Sequence, residues 1–169
     1  LARRRDRFTI RGADVKRWRD EAVRVHHLLN HSLGNTGEDR IPWPMEAVES
    51  LIRPVLRIAD PDLVLFADVK EGPDAGTTVG WFAAIPNMNE VTEHLRGLRY
   101  PWDYLRVPFA MLHKPHCLAA KSLLVLPEYH VSGVAALLFD ELAKRAQAKR
   151  YSWIDLSLTS EANPQTPIL

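Results

Sequence analysis

Residues 125–142 read VLPEYHVSGVAALLFDEL, in which a β-branched apolar run meets Pro127, crosses a short polar turn and becomes helical at Gly133. This order aims the first turn of a helix, with its unpaired N–H groups and positive dipole end, at an anion. A diphosphate held there gains charge-assisted hydrogen bonds from the backbone N–H groups of residues 132–135 and needs no lysine. Gly133 allows close approach to the backbone, and Ala135 keeps the next turn narrow. Upstream, the backbone of Leu124, Val125 and Leu126 could pair with an extended amide-bearing arm, as a strand edge pairs with a peptide. An extended arm ending in a diphosphate describes coenzyme A. The plainer explanation is that every strand-to-helix connection needs a turn, and glycine makes one.

Other chemistry-bearing residues are less specific. His113, His116 and Cys117 (HKPHC) resemble half of a metal site, but no second Cys/His pair completes four ligands. His27 and His31 lie one helical turn apart without the glutamate of H-E-x-x-H, so zinc-protease chemistry has no support. No metal is expected. G-x-S-x-G, a P-loop and G-x-G-x-x-G are all missing.

The elements that would position these residues follow from periodicity. Arg7–Gly12 alternates like a strand. Asp14 is a natural N-cap for a helix carrying Val15, Trp18, Ala22, Val25 and Leu29. Met45–Ile58 is a second helical pattern, disturbed by Pro54. Leu63–Val69 and 79–85 read as an antiparallel hairpin across a turn-rich EGPDAGTT. A short helical piece lies around Asn89–Leu98, and a Pro- and aromatic-rich stretch follows it. Cys117–Leu126 is a strand, and the helix after Gly133 carries the apolar stripe Val134, Leu137, Leu138, Leu142, Ala146. Trp153–Thr159 alternates as a last strand. The order implies a mixed α/β sheet with helices on its faces, and disfavours a doubly wound dinucleotide fold.

Composition bounds the function. The 169 residues suit one domain, taken as 1–169, with 46% apolar and 25% charged side chains. A net charge of +1 gives no general attraction to nucleic acid or to an anionic membrane, so neither is an expected partner. The best apolar run, Leu118–Leu126, is interrupted by Lys121 and is far too short to span a bilayer. With Cys117 as the one cysteine, no intrachain disulfide can form, and a cytoplasmic setting is expected.

The strand–turn–glycine–helix unit resembles the acyl-CoA loop of the GNAT N-acyltransferase superfamily, whose pattern is Arg/Gln-x-x-Gly-x-Gly/Ala. Here the window is His130-Val131-Ser132-Gly133-Val134-Ala135. The chain looks closest to a bacterial GNAT-like subgroup with PEY before the loop (127–129). The subgroup also resembles it at DPDLVLFA (around 61–67), IPNMNE (85–90), YPWDYLR (100–106) and WIDLSLTSEANP (153–164). The resemblance implies a GNAT fold, acetyl-CoA or CoA as cofactor, and acyl transfer to a primary amine on a small molecule or peptide. It implies an oxyanion donor on the fourth strand at Leu124 or Val125, and places Asn163 near the CoA arm. Helix capping explains Asn163 equally well.

The loop departs from the family pattern at its first position, where His130 replaces Arg or Gln, and at Val131 and Ser132. The family's usual acid, a tyrosine after the fifth strand, is not matched by Tyr100, Tyr104, Tyr129 or Tyr151. Candidates for a base are Asp155 and Ser157 on one face of the last strand, and Glu128 just past the fourth. The simpler explanation of each carries more weight: a sheet-face polar residue for Asp155, a strand hydroxyl for Ser157 and a loop carboxylate for Glu128. The runner-up function is therefore a non-catalytic GNAT-like module that binds CoA or a partner protein. A ligand-free dimerisation domain ranks third. The family fold continues beyond what Leu169 reaches, so the fold is expected to be C-terminally incomplete, with an exposed edge that favours a homodimer.

Overall fold

A computed structural model describes residues 6–32, 42–56, 58–93, 102 and 115–156. Five strands form one sheet in the order β1 (Phe8–Gly12), β2 (Val64–Val69), β3 (Thr78–Pro86), β4 (Cys117–Val125), β5 (Trp153–Leu156). Neighbours from β1 to β4 are antiparallel, and β5 runs parallel to β4. The helices are α1 (Trp18–Ser32), α2 (Met45–Val55), α3 (Met88–Thr92) and α4 (Val134–Ala148).

Alternation along the strands divides the core into two layers. On one face α4 packs its apolar stripe, with Val134, Leu138 and Leu142 fully buried against Leu65, Ala67 and Leu118. Gly80 permits the close approach: a Cβ there would lie 2.8 Å from Val134 Cγ1 and 3.1 Å from Leu138 Cδ1. On the other face Val25 of α1 and Val48 of α2 bury Phe66 of β2, with Trp81 of β3 alongside.

Local differences from the sequence expectations have physical causes. Asp14 caps a 3-10 turn over Val15–Arg17, accepting from the Lys16 and Arg17 N–H groups, and α1 follows that turn. Pro54 does not break α2, because it falls at the penultimate position of the helix, which ends at Val55 rather than Ile58. Leu63 belongs to a 3-10 turn started by Asp60 and Pro61, so β2 begins at Val64. The expected segments at 94–98, 100–106 (Trp102 excepted) and beyond Leu156, with Ser157 and Asn163, lie outside the described residues.

A carboxylate pins the start of α1 to the sheet. Glu21, 6% exposed, accepts from Arg11 at 2.6 and 3.1 Å, from Arg24 at 3.2 Å and from the Asp14 N–H at 3.1 Å. Arg11 also donates to Asp68 at 2.6 Å. Burial works against the Arg11 charge, but its hydrogen bonds to Glu21 and Asp68 outweigh that cost and raise its pKa above the ordinary value.

Candidate functional site

The site is built on β4, whose register against β3 shifts by one residue. Ala83 pairs with Ser122 but Ala84 pairs with Ala120, which leaves Lys121 as the extra residue of a bulge. Past the bulge, the Leu126 N–H donates to Val79 O at 2.9 Å. Antiparallel ladders alternate, so Leu124 also turns its N–H and C=O toward β3. Leu123 and Val125 point theirs to the opposite edge. The described register of β5 ends with Leu156 opposite Ala120, and no described strand covers that edge at Leu123 or Val125.

After Val125 the chain enters a 3-10 turn over Pro127–Ser132, and Gly133 then takes the left-handed conformation (φ 86°) that starts α4. Glycine adopts that conformation freely. The turn uses the Ser132 N–H in its own i→i−3 pattern. Ser132 Oγ donates to Tyr129 O at 2.6 Å and accepts from the Val134 N–H at 3.3 Å. The first i→i−4 bond of the helix joins the Leu137 N–H to Gly133 O at 3.1 Å, so Ala135 and Ala136 supply its free-pointing first-turn donors. Val131 is 89% exposed beside them.

His130 does not extend toward that helix start. Its Nε2 sits 3.0 Å from Val125 O, where it donates to the carbonyl on the β4 edge. Tyr129 is buried, donates its hydroxyl to Asp74 Oδ2 at 2.9 Å and packs edge-on against Phe8. The Asp74 hydrogen bond and burial both raise its pKa.

The cradle fits coenzyme A in outline. A strand edge that no described strand covers leads to a helix start with a left-handed glycine and two N–H donors, which suits an amide-bearing arm followed by a diphosphate. The protein's own side chains occupy two contacts of that cradle, the Val125 carbonyl and the Val134 N–H.

On the opposite face of the sheet from α4 lies a cavity of about 300 Å³. Its walls come from α1 (Trp18, Val25), α2 (Leu51, Ile52) and the sheet (Phe66, Trp81), and Lys121 and Ser122 of the bulge reach it from β4. The pairing of Asp155 with Ala119, and of Ala119 with Ile85, puts Asp155 on this same face, exposed. Glu128 is exposed past the end of β4, on the side of His27. Lys121 and the cavity were missed in the sequence, although a lone lysine inside an apolar strand was a usable signal.

Of the HKPHC half-site, His116 and Cys117 are described and His113 lies outside the described residues. The backbone N–H groups of His116 and Cys117 donate to Glu90 Oε2 at 2.7 and 3.3 Å, and the Cys117 side chain is buried. Among the described residues no three His, Cys, Asp or Glu side chains gather as metal ligands, and no helix is long and apolar enough to cross a membrane.

No protein-family model and no curated protein matches the sequence. Solved structures do match the architecture. A possible acetyltransferase from Clostridium difficile 630 is 14% identical over 93% of this chain and 83% of that one, with a TM-score of 0.54. A GNAT family acetyltransferase from Brucella melitensis, in complex with acetyl-CoA, is 15% identical over 89% of this chain and 77% of that one, with a TM-score of 0.51. The chain has the GNAT acyltransferase fold.

Proposed function

We propose that the protein is an acyl-CoA-dependent N-acyltransferase that moves an acetyl or other acyl group to a primary amine. The observation that carries this is the β4 edge at Leu123 and Val125, which leads directly to the left-handed Gly133 and the start of α4. In this role the Ala135 and Ala136 N–H groups hold the diphosphate, and the β4 edge aligns the arm. Bound acetyl-CoA supplies the activated acyl carbon.

Of the two expected oxyanion donors, the ladder alternation favours the Val125 N–H over Leu124, whose N–H is spent on β3. Asp155 lies on the cavity face, and in this reading it takes the amine proton, because the two carboxylates that line the cavity, Asp14 and Glu21, are held by arginines and backbone N–H groups. As the amine nitrogen attacks, the C–S bond breaks and the thiolate leaves with a proton from solvent or an acid outside the described residues.

Thiol release from acetyl-CoA, followed against a panel of primary amines, tests the activity. Amine-dependent release is the expected result, with Asp155→Asn losing about 10²–10⁴-fold in rate at neutral pH. Tight CoA binding without release to any amine would favour the non-catalytic module. The two contacts already filled by His130 and Ser132 keep that second possibility in view.

A further inference from the structure

The cavity on the α1/α2 face has walls that are almost wholly apolar, and the polarity it does have is one-sided. Glu21 borders it, but that carboxylate is saturated by Arg11, Arg24 and the Asp14 N–H. Asp14 also borders it, and its carboxylate is spent on Arg17 and on capping the 3-10 turn. Lys121, by contrast, makes no ion pair or hydrogen bond with the described residues and stands exposed at the bulge. Half-buried Ser122 next to it is likewise uncommitted. Trp81, a wall residue, contributes its ring to the apolar lining; its indole Nε1 is buried and has no hydrogen-bond partner among the described residues.

Among the described residues that line the cavity the free charge is therefore positive, and the two lining carboxylates are already in use; Asp155 shares the face but is not part of the lining. A polyamine or an aminosugar would find no uncommitted counter-ion in the described lining and would strip water from its charges there for nothing. An apolar body bearing an anion finds both of its needs met. At about 300 Å³ the cavity lies at the lower end for ligand pockets, with room for one side-chain-sized body rather than an oligomer. The anion belongs at the bulge, on the same strand whose edge at Leu123 and Val125 would present the acyl group. The amine must then sit close to the anion.

We propose that this cavity is the acceptor site and that it takes a free α-amino acid with a large aliphatic or aromatic side chain, its carboxylate paired with Lys121. The assignment as acceptor rests on the acyltransferase function; the ligand class rests on the cavity alone. The nitrogen lone pair of the neutral amine forms the new C–N bond as the thioester C–S bond breaks; the nitrogen gives up one proton and CoA leaves as the thiolate, which is protonated to the free thiol. The product is an N-acyl amino acid.

Binding is measured first, without CoA, by calorimetric titration of the full natural chain with L-phenylalanine, L-leucine, L-phenylalaninamide and spermidine. The two amino acids are expected to bind, and the amide, which lacks the carboxylate, to bind at least about tenfold more weakly. Lys121→Gln, an exposed substitution, should erase that difference, and Ala83→Leu should fill the cavity and abolish binding. Equal affinity for acid and amide, preference for spermidine, or no binding at millimolar amino acid would each overturn the proposal.

Thiol release from acetyl-CoA is then followed with the same ligands. Binding of phenylalanine without release would sink the acyltransferase function and leave the ligand class standing. Acylation of another amine with no amino-acid binding would do the reverse.

Discussion

His27 and His31 stack on the exposed side of α1 with ring centroids 4.2 Å apart and planes at 22°. Burial pushes the His27 pKa below its ordinary value, and the neighbouring His31 and His26 push it further, against a weaker pull from Glu128. The folded state thus favours neutral His27. Because its folded pKa is depressed, the unfolded chain takes up the proton first, so this contribution is whole above about pH 6.5 and declines as pH falls toward the folded pKa. Titration of the ring resonances should place His27 below free histidine, and His31→Ala should restore part of the difference. An unchanged His27 pKa in that variant would show that His31 contributes nothing to the shift. His130 offers a second test. His130→Ala uncovers the Val125 carbonyl, so CoA affinity should rise severalfold, by the equivalent of about 1 kcal/mol. A fall would mean that the ring serves the phosphates. Spacing made His130 visible as a loop residue, but its rotation back onto β4 depends on packing that no linear pattern encodes.

Elements divide by how locally they are specified. The stripe of α4 is readable because its period matches its burial, and Gly133 is readable because a left-handed residue there favours glycine. The β4 bulge was not readable. Ala119-Ala120-Lys121-Ser122 contains no glycine or proline to mark it, and it exists only in relation to the register of β3. The tightness of the α4 contact was equally hidden, since it needs Gly80 from a distant strand. Gly80→Ala should push Val134 and Leu138 away from the sheet and cost about 1–3 kcal/mol in stability, read as a lower urea midpoint. Val134 directly follows Gly133, so the same variant should also weaken CoA binding. Full stability in Gly80→Ala would show that α4 can shift at no cost.

At the scale of the whole molecule, the mixed sheet, the β2–β3 hairpin and the β4-turn-α4 unit were legible from period and turn chemistry. The parallel placement of β5 beside β4 and the pairing of β1 with β2 join residues far apart in sequence, and only the assembled sheet defines them. The acceptor cavity belongs to this scale too, because α1, α2, β2, β3 and the bulge each contribute one wall. The most direct test of the central claim is the melting temperature of the full natural chain as CoA is added, compared with Gly133→Val. The parent should be stabilised by RT ln(1 + [L]/Kd), about 2.7 kcal/mol at a hundredfold excess over Kd. Valine resists a φ of 86° and crowds the helix start, so the variant should melt lower and lose the response to CoA. An unmoved melting temperature at millimolar CoA in the parent, or an equal upward shift in Gly133→Val, would contradict the assignment of this strand edge and helix start as a CoA cradle.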